Sequence, residues 1–158
     1  MTLRAMTLIL TCLIPLAATH AEPIDGARIR VIDGDTIRID RQKPDHRLVG
    51  FNAPETRRAK NEAERELGGR ATARLREILR GGKLDYTVVP CACRPGTEGT
   101  MACNFGRRCG MLKADGVEVG TVLIREGLAV PFMCGPTSCP RTPNQWRQPQ
   151  RAPQAEKP

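Results

Sequence analysis

Residues 27–40, ARIRVIDGDTIRID, constrain the fold more than any other segment, because apolar and polar side chains alternate on both sides of Asp33-Gly34. Alternation with a period of two is typical of a strand with one buried face. An Asp-Gly pair between two such runs is typical of a tight hairpin turn. The apolar positions are Ile29, Val31, Ile37 and Ile39, and the polar ones are Arg28, Arg30, Arg38 and Asp40. The segment therefore predicts two antiparallel strands.

The remaining periodic segments predict a small domain of mixed type. Apolar residues between 61 and 80 recur every three or four positions, which predicts a helix that Gly81-Gly82 ends. Its predicted apolar stripe is Ala63, Leu67, Ala71, Leu75, Ile78 and Leu79. Further strands are predicted at residues 47–51, at 83–90 through Leu84, Tyr86 and Val88, and near 108–114 before an Asp115-Gly116 turn. Val119, Val122 and Leu123 predict a short second helix ending at Gly127. Five short strands with a helix after the third indicate an α+β, mainly β, barrel.

The two ends of the chain differ in composition from the predicted barrel. Residues 1–21 combine Arg4, an apolar run and small residues before Glu22, which predicts a secretory signal cleaved after Ala21, with an uncleaved membrane anchor as the alternative. Residues 22–140 are then the folded domain, and residues 141–158, rich in Pro, Gln and Arg, are a predicted disordered tail. Trp146 in that tail is compatible with partner contact or with simple disorder.

Charge and cysteine content indicate the compartment and one class of partner. The net charge of +8 becomes +7 when Arg4 leaves with the signal, a surplus common in proteins that bind polyanions and equally compatible with a role in solubility. Six cysteines remain after Cys12 is removed, and an even number in an exported chain predicts three disulfides. They are Cys91, Cys93, Cys103, Cys109, Cys134 and Cys139, of which Cys134 and Cys139 are plausible local partners. A zinc site in the Cys91–Cys109 cluster is the alternative, although no C-x-x-C pair occurs there.

Several polar residues are typical of turns, loops and strand edges when each is taken alone, but together they indicate a catalytic site. Asp35 and Asn52 offer oxygen ligands for a hard cation if the first three strands are neighbours. Glu55 is a candidate base for an attacking water. Arg47 and Arg107 each offer a planar fork of N–H donors for phosphoryl oxygens. The set is what phosphodiester hydrolysis requires.

The ordered motifs DGDTIRI, RLVGFNAPET, FGRR and ADG…VGTVLIREGLA, with a Glu- and Ala-rich helix between the second and third, resemble the staphylococcal nuclease (thermonuclease) family. The resemblance runs from near Arg28 to Ala129. It implies a five-stranded OB-fold barrel with helices and a Ca²⁺-dependent, thermonuclease-like endonuclease acting on DNA and RNA. The residues themselves leave open which nucleic acid is preferred and whether attack is endo- or exonucleolytic. We expect a monomer, secreted or periplasmic.

By resemblance, Asp35 corresponds to the metal-binding aspartate of the family and Ala53 to a position whose backbone carbonyl binds the metal. Arg47 and Arg107 correspond to its two phosphate-binding catalytic arginines, and Glu55 to its general base. His46 is expected to be a surface residue without a role.

The chain departs from the family pattern at three places. Asn52 stands where the family usually has a second metal-binding aspartate, so we expect weaker but not abolished Ca²⁺ binding. Disulfides in the cysteine-rich stretch before Gly106 would bear directly on the position of Arg107. The tail offers no helix where the family packs one, and we expect disulfides to compensate for its loss.

Two other classes of function remain as alternatives. A non-catalytic OB module that binds single-stranded nucleic acid is the first, and the presence of Asp35, Arg47, Glu55 and Arg107 together favours the enzyme over it. A disulfide-stapled exported protein with an unrelated binding function is the second.

Overall fold

A computed structural model describes residues 21–142 and Trp146 of the chain. The predicted signal peptide, except Ala21, lies outside these residues, as does most of the predicted disordered tail. Trp146 is buried, with 7% of its surface exposed.

The architecture is α+β and mainly β, with a curled half-barrel sheet and two helices, as the periodicity predicts. The strands are β1 Glu22–Pro23, β2 Ile29–Asp33, β3 Thr36–Ile39, β4 His46–Leu48, β5 Gly50–Asn52, β6 Leu84–Val89, β7 Arg108–Ala114, β8 Val117–Glu118 and β9 Val130–Phe132. The helices are α1 Glu62–Gly81 and α2 Val119–Arg125. Single 3-10 turns occur at Gly26–Arg28 and Asn104–Gly106.

The main sheet has the order β1-β6-β7-β4-β3-β2, and β8 pairs with β7. Its neighbours are antiparallel except β4 and β7, which run parallel with Arg47 opposite Cys109. This parallel contact brings residues 46–48 next to 108–110, far apart in sequence. The sheet therefore brings together the segments that carry Arg47 and Arg107.

The hairpin predicted from residues 27–40 is confirmed. Ile29 pairs with Ile39 and Val31 with Ile37, with a register irregularity before Asp33. The predicted strand at residues 47–51 is instead two strands, because the chain turns at Gly50, whose φ is +90°. Beyond that turn β5 leaves the main sheet and pairs with β9. This redirects Asn52 towards the hairpin turn.

Helix α1 confirms the predicted helix, with local differences. Asn61 caps it by accepting a hydrogen bond from the Glu64 N–H at 2.8 Å. The core face carries Ala71, Leu75 and Leu79, as predicted, whereas Ala63 is exposed and Gly68 is buried. The buried face of α1 packs on β2 and contributes to one core with the sheet and α2.

Two further residues differ from expectation. His46 is buried rather than on the surface, with 7% exposed, because its Nδ1 lies 2.6 Å from the Tyr86 hydroxyl inside the sheet. Val88, predicted on the apolar face with Leu84 and Tyr86, is 52% exposed near the end of β6. The parts of the chain described contain no helix long and apolar enough to cross a membrane.

Candidate functional site

Asp35 lies in the turn between β2 and β3, with only 3% of its surface exposed. Its carboxylate accepts hydrogen bonds from the Ala53 N–H at 2.8 Å and the Thr36 hydroxyl at 3.1 Å, and it forms an ion pair with Arg47. Burial raises the pKa of Asp35 to about 7, and the positive charge of Arg47 partly offsets that rise. A cation bound at this carboxylate would offset part of the cost of burying its charge.

Arg47 on β4 connects the hairpin turn to β5. Its position follows from strand pairing, which sets Arg47 opposite Thr36. One terminal nitrogen pairs with Asp35, and the other donates to Asn52 Oδ1 at 2.7 Å and to the Phe51 carbonyl at 3.4 Å. Arg47 therefore contacts both side chains that the sequence predicts as cation ligands.

Direct contacts link Asp35, Asn52 and Ala53 to one another or to Arg47. Asn52 is buried, and its side-chain N–H donates to the Ala53 carbonyl at 3.2 Å. Among the residues described, no three or more His, Cys, Asp or Glu side chains are grouped so as to hold a metal. The candidate set here has one carboxylate, one amide oxygen and one backbone carbonyl. These are the donor types that Ca²⁺ accepts among its six to eight oxygen ligands, so the residues present fit this cation in donor chemistry.

Arg107 reaches the same place from the turn before β7. Its Nη1 donates to the Thr36 hydroxyl at 3.4 Å, one hydrogen bond away from the Asp35 carboxylate. Burial, followed by the charge of Arg47, lowers the pKa of Arg107. Two guanidinium groups thus lie near one buried carboxylate, an arrangement that leaves N–H donors available for an anion.

Asn104 fixes the orientation of the Arg107 side chain. Asn104 Oδ1 accepts from Arg107 Nη2 at 2.8 Å, and the Asn104 carbonyl accepts from Arg107 Nε at 3.1 Å. Its own side-chain nitrogen lies 3.3 Å from the Cys109 sulfur. Asn104 and Phe105 both adopt left-handed φ angles, of 49° and 58°, which non-glycine residues rarely do.

Disulfides hold this turn on both sides. The six predicted cysteines form the pairs Cys91–Cys109, Cys93–Cys103 and Cys134–Cys139, so the prediction of three disulfides is confirmed and these thiols are not zinc ligands. Cys103 precedes the Asn104–Gly106 turn and Cys109 follows Arg107. The turn therefore has covalent anchors at both ends.

Glu55 lies at the exposed rim, just beyond the buried Pro54. Partial removal from water, followed by the negative charge of Asp33, raises the pKa of Glu55. The positive charges of Arg47, Arg107 and Arg58 lower it in part, which places all three within electrostatic reach of the carboxylate. A base whose pKa moves toward neutrality transfers protons more effectively at physiological pH.

The structure brings the six predicted site residues to one end of the sheet. Asp35, Arg47, Asn52, Ala53 and Arg107 are connected by direct contacts or through Thr36, and Glu55 borders them. Sequence reasoning assigned no role to Thr36 or Asn104, although Thr36 lies inside the motif DGDTIRI and Asn104 directly precedes the motif FGRR. It also treated Asp33 as a turn residue only.

No protein-family model matches this chain, and no curated protein matches it. The likeness to the thermonuclease family consequently stays a prediction from the motifs.

Proposed function

We propose that the chain is an exported, Ca²⁺-dependent nuclease that hydrolyses phosphodiester bonds of DNA or RNA. The observation that carries this proposal is the meeting of Asp35, Arg47 and Arg107, from three separate segments, through the Thr36 hydroxyl and the Asp35–Arg47 ion pair. Such convergence of one buried acid and two arginines suits an anionic substrate held beside a cation.

Each residue has a distinct part in the proposed reaction. The Glu55 carboxylate accepts a proton from water as the water oxygen bonds to phosphorus and the bond to the leaving oxygen breaks. Arg47 and Arg107 donate hydrogen bonds to the non-bridging phosphoryl oxygens, on which negative charge increases in the transition state. Asn104 keeps the Arg107 fork oriented before the substrate arrives.

Asp35, Asn52 and Ala53 would hold the cation. Bound Ca²⁺ supplies charge stabilisation and orients the phosphate. Because Arg47 engages both Asp35 and Asn52, the guanidinium must move aside from at least one of them for these oxygens to serve as ligands. Its release also frees N–H donors for an incoming phosphate.

The finer fold assignment in this proposal is a closed five-stranded OB barrel. Its support is the strand order, because β2, β3, β4, β7 and β6 lie next to one another in the sheet in that order. The parallel β4–β7 contact joins the third and the fifth of these strands in chain order. We further propose a monomer acting outside the cytoplasm, because three disulfides favour an oxidising compartment.

The test is digestion of denatured DNA and of RNA by the purified, oxidised protein, with Ca²⁺ and then with a chelator. We expect Ca²⁺-dependent cleavage that falls about 10²–10⁴-fold in Glu55→Gln, in line with loss of a general base. Glu118→Gln removes an exposed acid outside the candidate site and serves as the control. Tight binding with intact nucleic acid under all conditions would instead identify a non-catalytic single-strand-binding module.

A further inference from the structure

A second basic feature lies away from the candidate site, in a groove of about 860 Å³ between the start of β2 and the end of α1. Five arginine side chains line it, against a single acidic side chain, Asp25. The arginines are Arg28, Arg30, Arg41, Arg76 and Arg80, all exposed. We call this feature the arginine groove.

Most of these arginines lack the carboxylate partners that arginines have elsewhere in the chain. Outside the groove, Arg38 pairs with Asp45, and Arg74 pairs with Glu77 and Glu126. Within the groove, Arg28 pairs with Asp40 at one side. Within residues 21–142, the other four groove arginines make no ion pair. Like charges so close together repel one another, and Arg76 and Arg80 are four residues apart on one helix, where such repulsion is direct. The groove therefore concentrates positive charge that an anionic ligand would neutralise.

The same two elements connect the arginine groove to the candidate site. Helix α1 lies against the Glu55 carbonyl at Gly68 and lines the groove at Arg76, eight residues or about 12 Å further along the helix. Strand β2 likewise begins in the groove and ends at Asp33, beside the site. A nucleic-acid strand stacked as in a B-form duplex rises about 3.4 Å per nucleotide, and an extended single strand rises more, so this separation corresponds to at most about four nucleotides.

We propose that the arginine groove binds the phosphate backbone of a single nucleic-acid strand, at most about four nucleotides from the phosphate held at Asp35, Arg47 and Arg107. This assignment rests on the proposed function, which supplies the strand that passes from one feature to the other. A planar guanidinium binds phosphate through two parallel hydrogen bonds, so a row of such groups suits a repeated phosphate. The contacts read no base sequence and should make binding depend on length and salt.

The experiment compares two double variants with equal loss of charge. Arg76→Gln/Arg80→Gln removes two groove cations, and Arg70→Gln/Arg125→Gln removes two exposed cations that do not line the groove. Binding of fluorescein-labelled single strands of 2 and 20 nucleotides is measured by anisotropy in chelator, over a series of salt concentrations. Chelator prevents Ca²⁺-dependent cleavage during the measurement, and melting temperatures establish that both variants are folded.

For the 20-nucleotide strand we expect the Kd of the groove variant to rise about tenfold at low salt, as two weak ionic contacts are lost. The slope of log K against log salt should fall in magnitude by about 1.4, from two contacts at about 0.7 each. The Kd for the 2-nucleotide strand should change less than twofold, because that strand is too short to span both features. The control variant should match the unmodified protein within about twofold for both strands.

Equal weakening in the two variants, or no weakening in the groove variant, would overturn the proposal. A heparin fragment of matched charge provides a further arm: loss of heparin binding with unchanged oligonucleotide binding would assign the groove to a sulfated polysaccharide and reject our proposal. Cleavage is assayed separately with Ca²⁺. A protein that binds the long strand through the groove but cleaves nothing would refute the proposed hydrolysis while supporting the groove.

Discussion

Gly68, in the middle of α1, lies directly against the backbone carbonyl oxygen of Glu55. A Cβ atom at position 68 would come within 2.7 Å of that oxygen and of the Pro54 carbonyl oxygen. The absence of a side chain lets the helix support the loop that carries the proposed base. Gly69, its neighbour in sequence, has open space around the position of a Cβ.

The two adjacent glycines predict opposite effects of the same substitution. Gly68→Ala should lower the free energy of unfolding by about 1–3 kcal/mol through the clash, and should reduce turnover by displacing Glu55. Gly69→Ala should raise the free energy of unfolding by about 0.5–1 kcal/mol, because alanine is the better helix former and the new Cβ atom meets no clash. Urea unfolding measures both changes. Equal effects of the two substitutions would contradict the packing described here.

We expect the disulfides to differ in their effect on turnover, according to whether they anchor the turn that holds Arg107. Cys93→Ser/Cys103→Ser removes an anchor of the Asn104–Gly106 turn, whereas Cys134→Ser/Cys139→Ser removes a bridge outside the site contacts. We expect the first variant to lose about tenfold in turnover, part of the 10²–10³-fold that a missing charge donor costs. The second should retain turnover.

Melting temperatures of these two variants test the expectation that disulfides compensate for a C-terminal helix that the sequence does not predict. Each loss should lower the melting temperature, because a disulfide contributes on the order of 2–4 kcal/mol, with less for the five-residue separation of Cys134 and Cys139. Melting that is unchanged on full reduction would refute that compensation. Equal turnover in both variants would refute the role assigned to the turn.

Asn52 predicts a gain of cation affinity on substitution by aspartate. Asn52→Asp adds a negative charge beside the Asp35 carboxylate, worth up to about 4 kcal/mol to a nearby unit charge at an effective dielectric of 20. We expect the Ca²⁺ concentration for half-maximal cleavage to fall at least about tenfold. Asn61→Asp makes the same chemical change at the cap of α1, where aspartate is tolerated. It should leave the Ca²⁺ concentration for half-maximal cleavage unchanged. Ca²⁺ titrations of cleavage and calorimetry measure the effect, and unaltered affinity in Asn52→Asp would argue against this cation site.

His46 predicts a pH dependence of stability. Burial, followed by the charge of Arg108, lowers the pKa of His46, so the folded protein favours the neutral ring, whose Nδ1 lies 2.6 Å from the Tyr86 hydroxyl. The unfolded chain binds the proton more readily than the folded protein does. The contribution of His46 to the stability of the fold is therefore complete above pH about 6.5 and is lost as the pH falls below that value.

The measurement is the difference in unfolding free energy between the unmodified protein and His46→Gln, from pH 8 to pH 5. Gln does not titrate, and subtracting its curve cancels the titration of the carboxylates. The unmodified protein should lose stability relative to the variant by up to about 1.4 kcal/mol per pH unit below pH 6.5. A pH-independent difference would contradict the buried neutral histidine.

Most secondary structure follows from local pattern in this chain. The period of two around Asp33-Gly34 and the helical period from Ala71 to Leu79 match the observed elements, because burial of one face is encoded residue by residue. The prediction for residues 47–51 was wrong in one respect. A turn at Gly50 into a second sheet depends on the partner β9, about eighty residues further along the chain.

The candidate site, too, is predicted from the sequence only in part. The residue types that suit phosphate and cation chemistry are visible in the motifs, and so is the even number of cysteines. The motifs do not show that these residues lie close together in space. Their proximity depends on the parallel pairing of β4 with β7 and on the fit of Gly68 against Glu55, which join positions distant along the chain.

Local sequence pattern specifies the main strands, both helices and the available chemical groups, since each depends on neighbours a few positions away. It does not specify that Cys93 pairs with Cys103, that Asn104 holds Arg107, or that His46 is buried. These features depend on how the curled sheet brings remote segments together, and no local periodicity records that geometry.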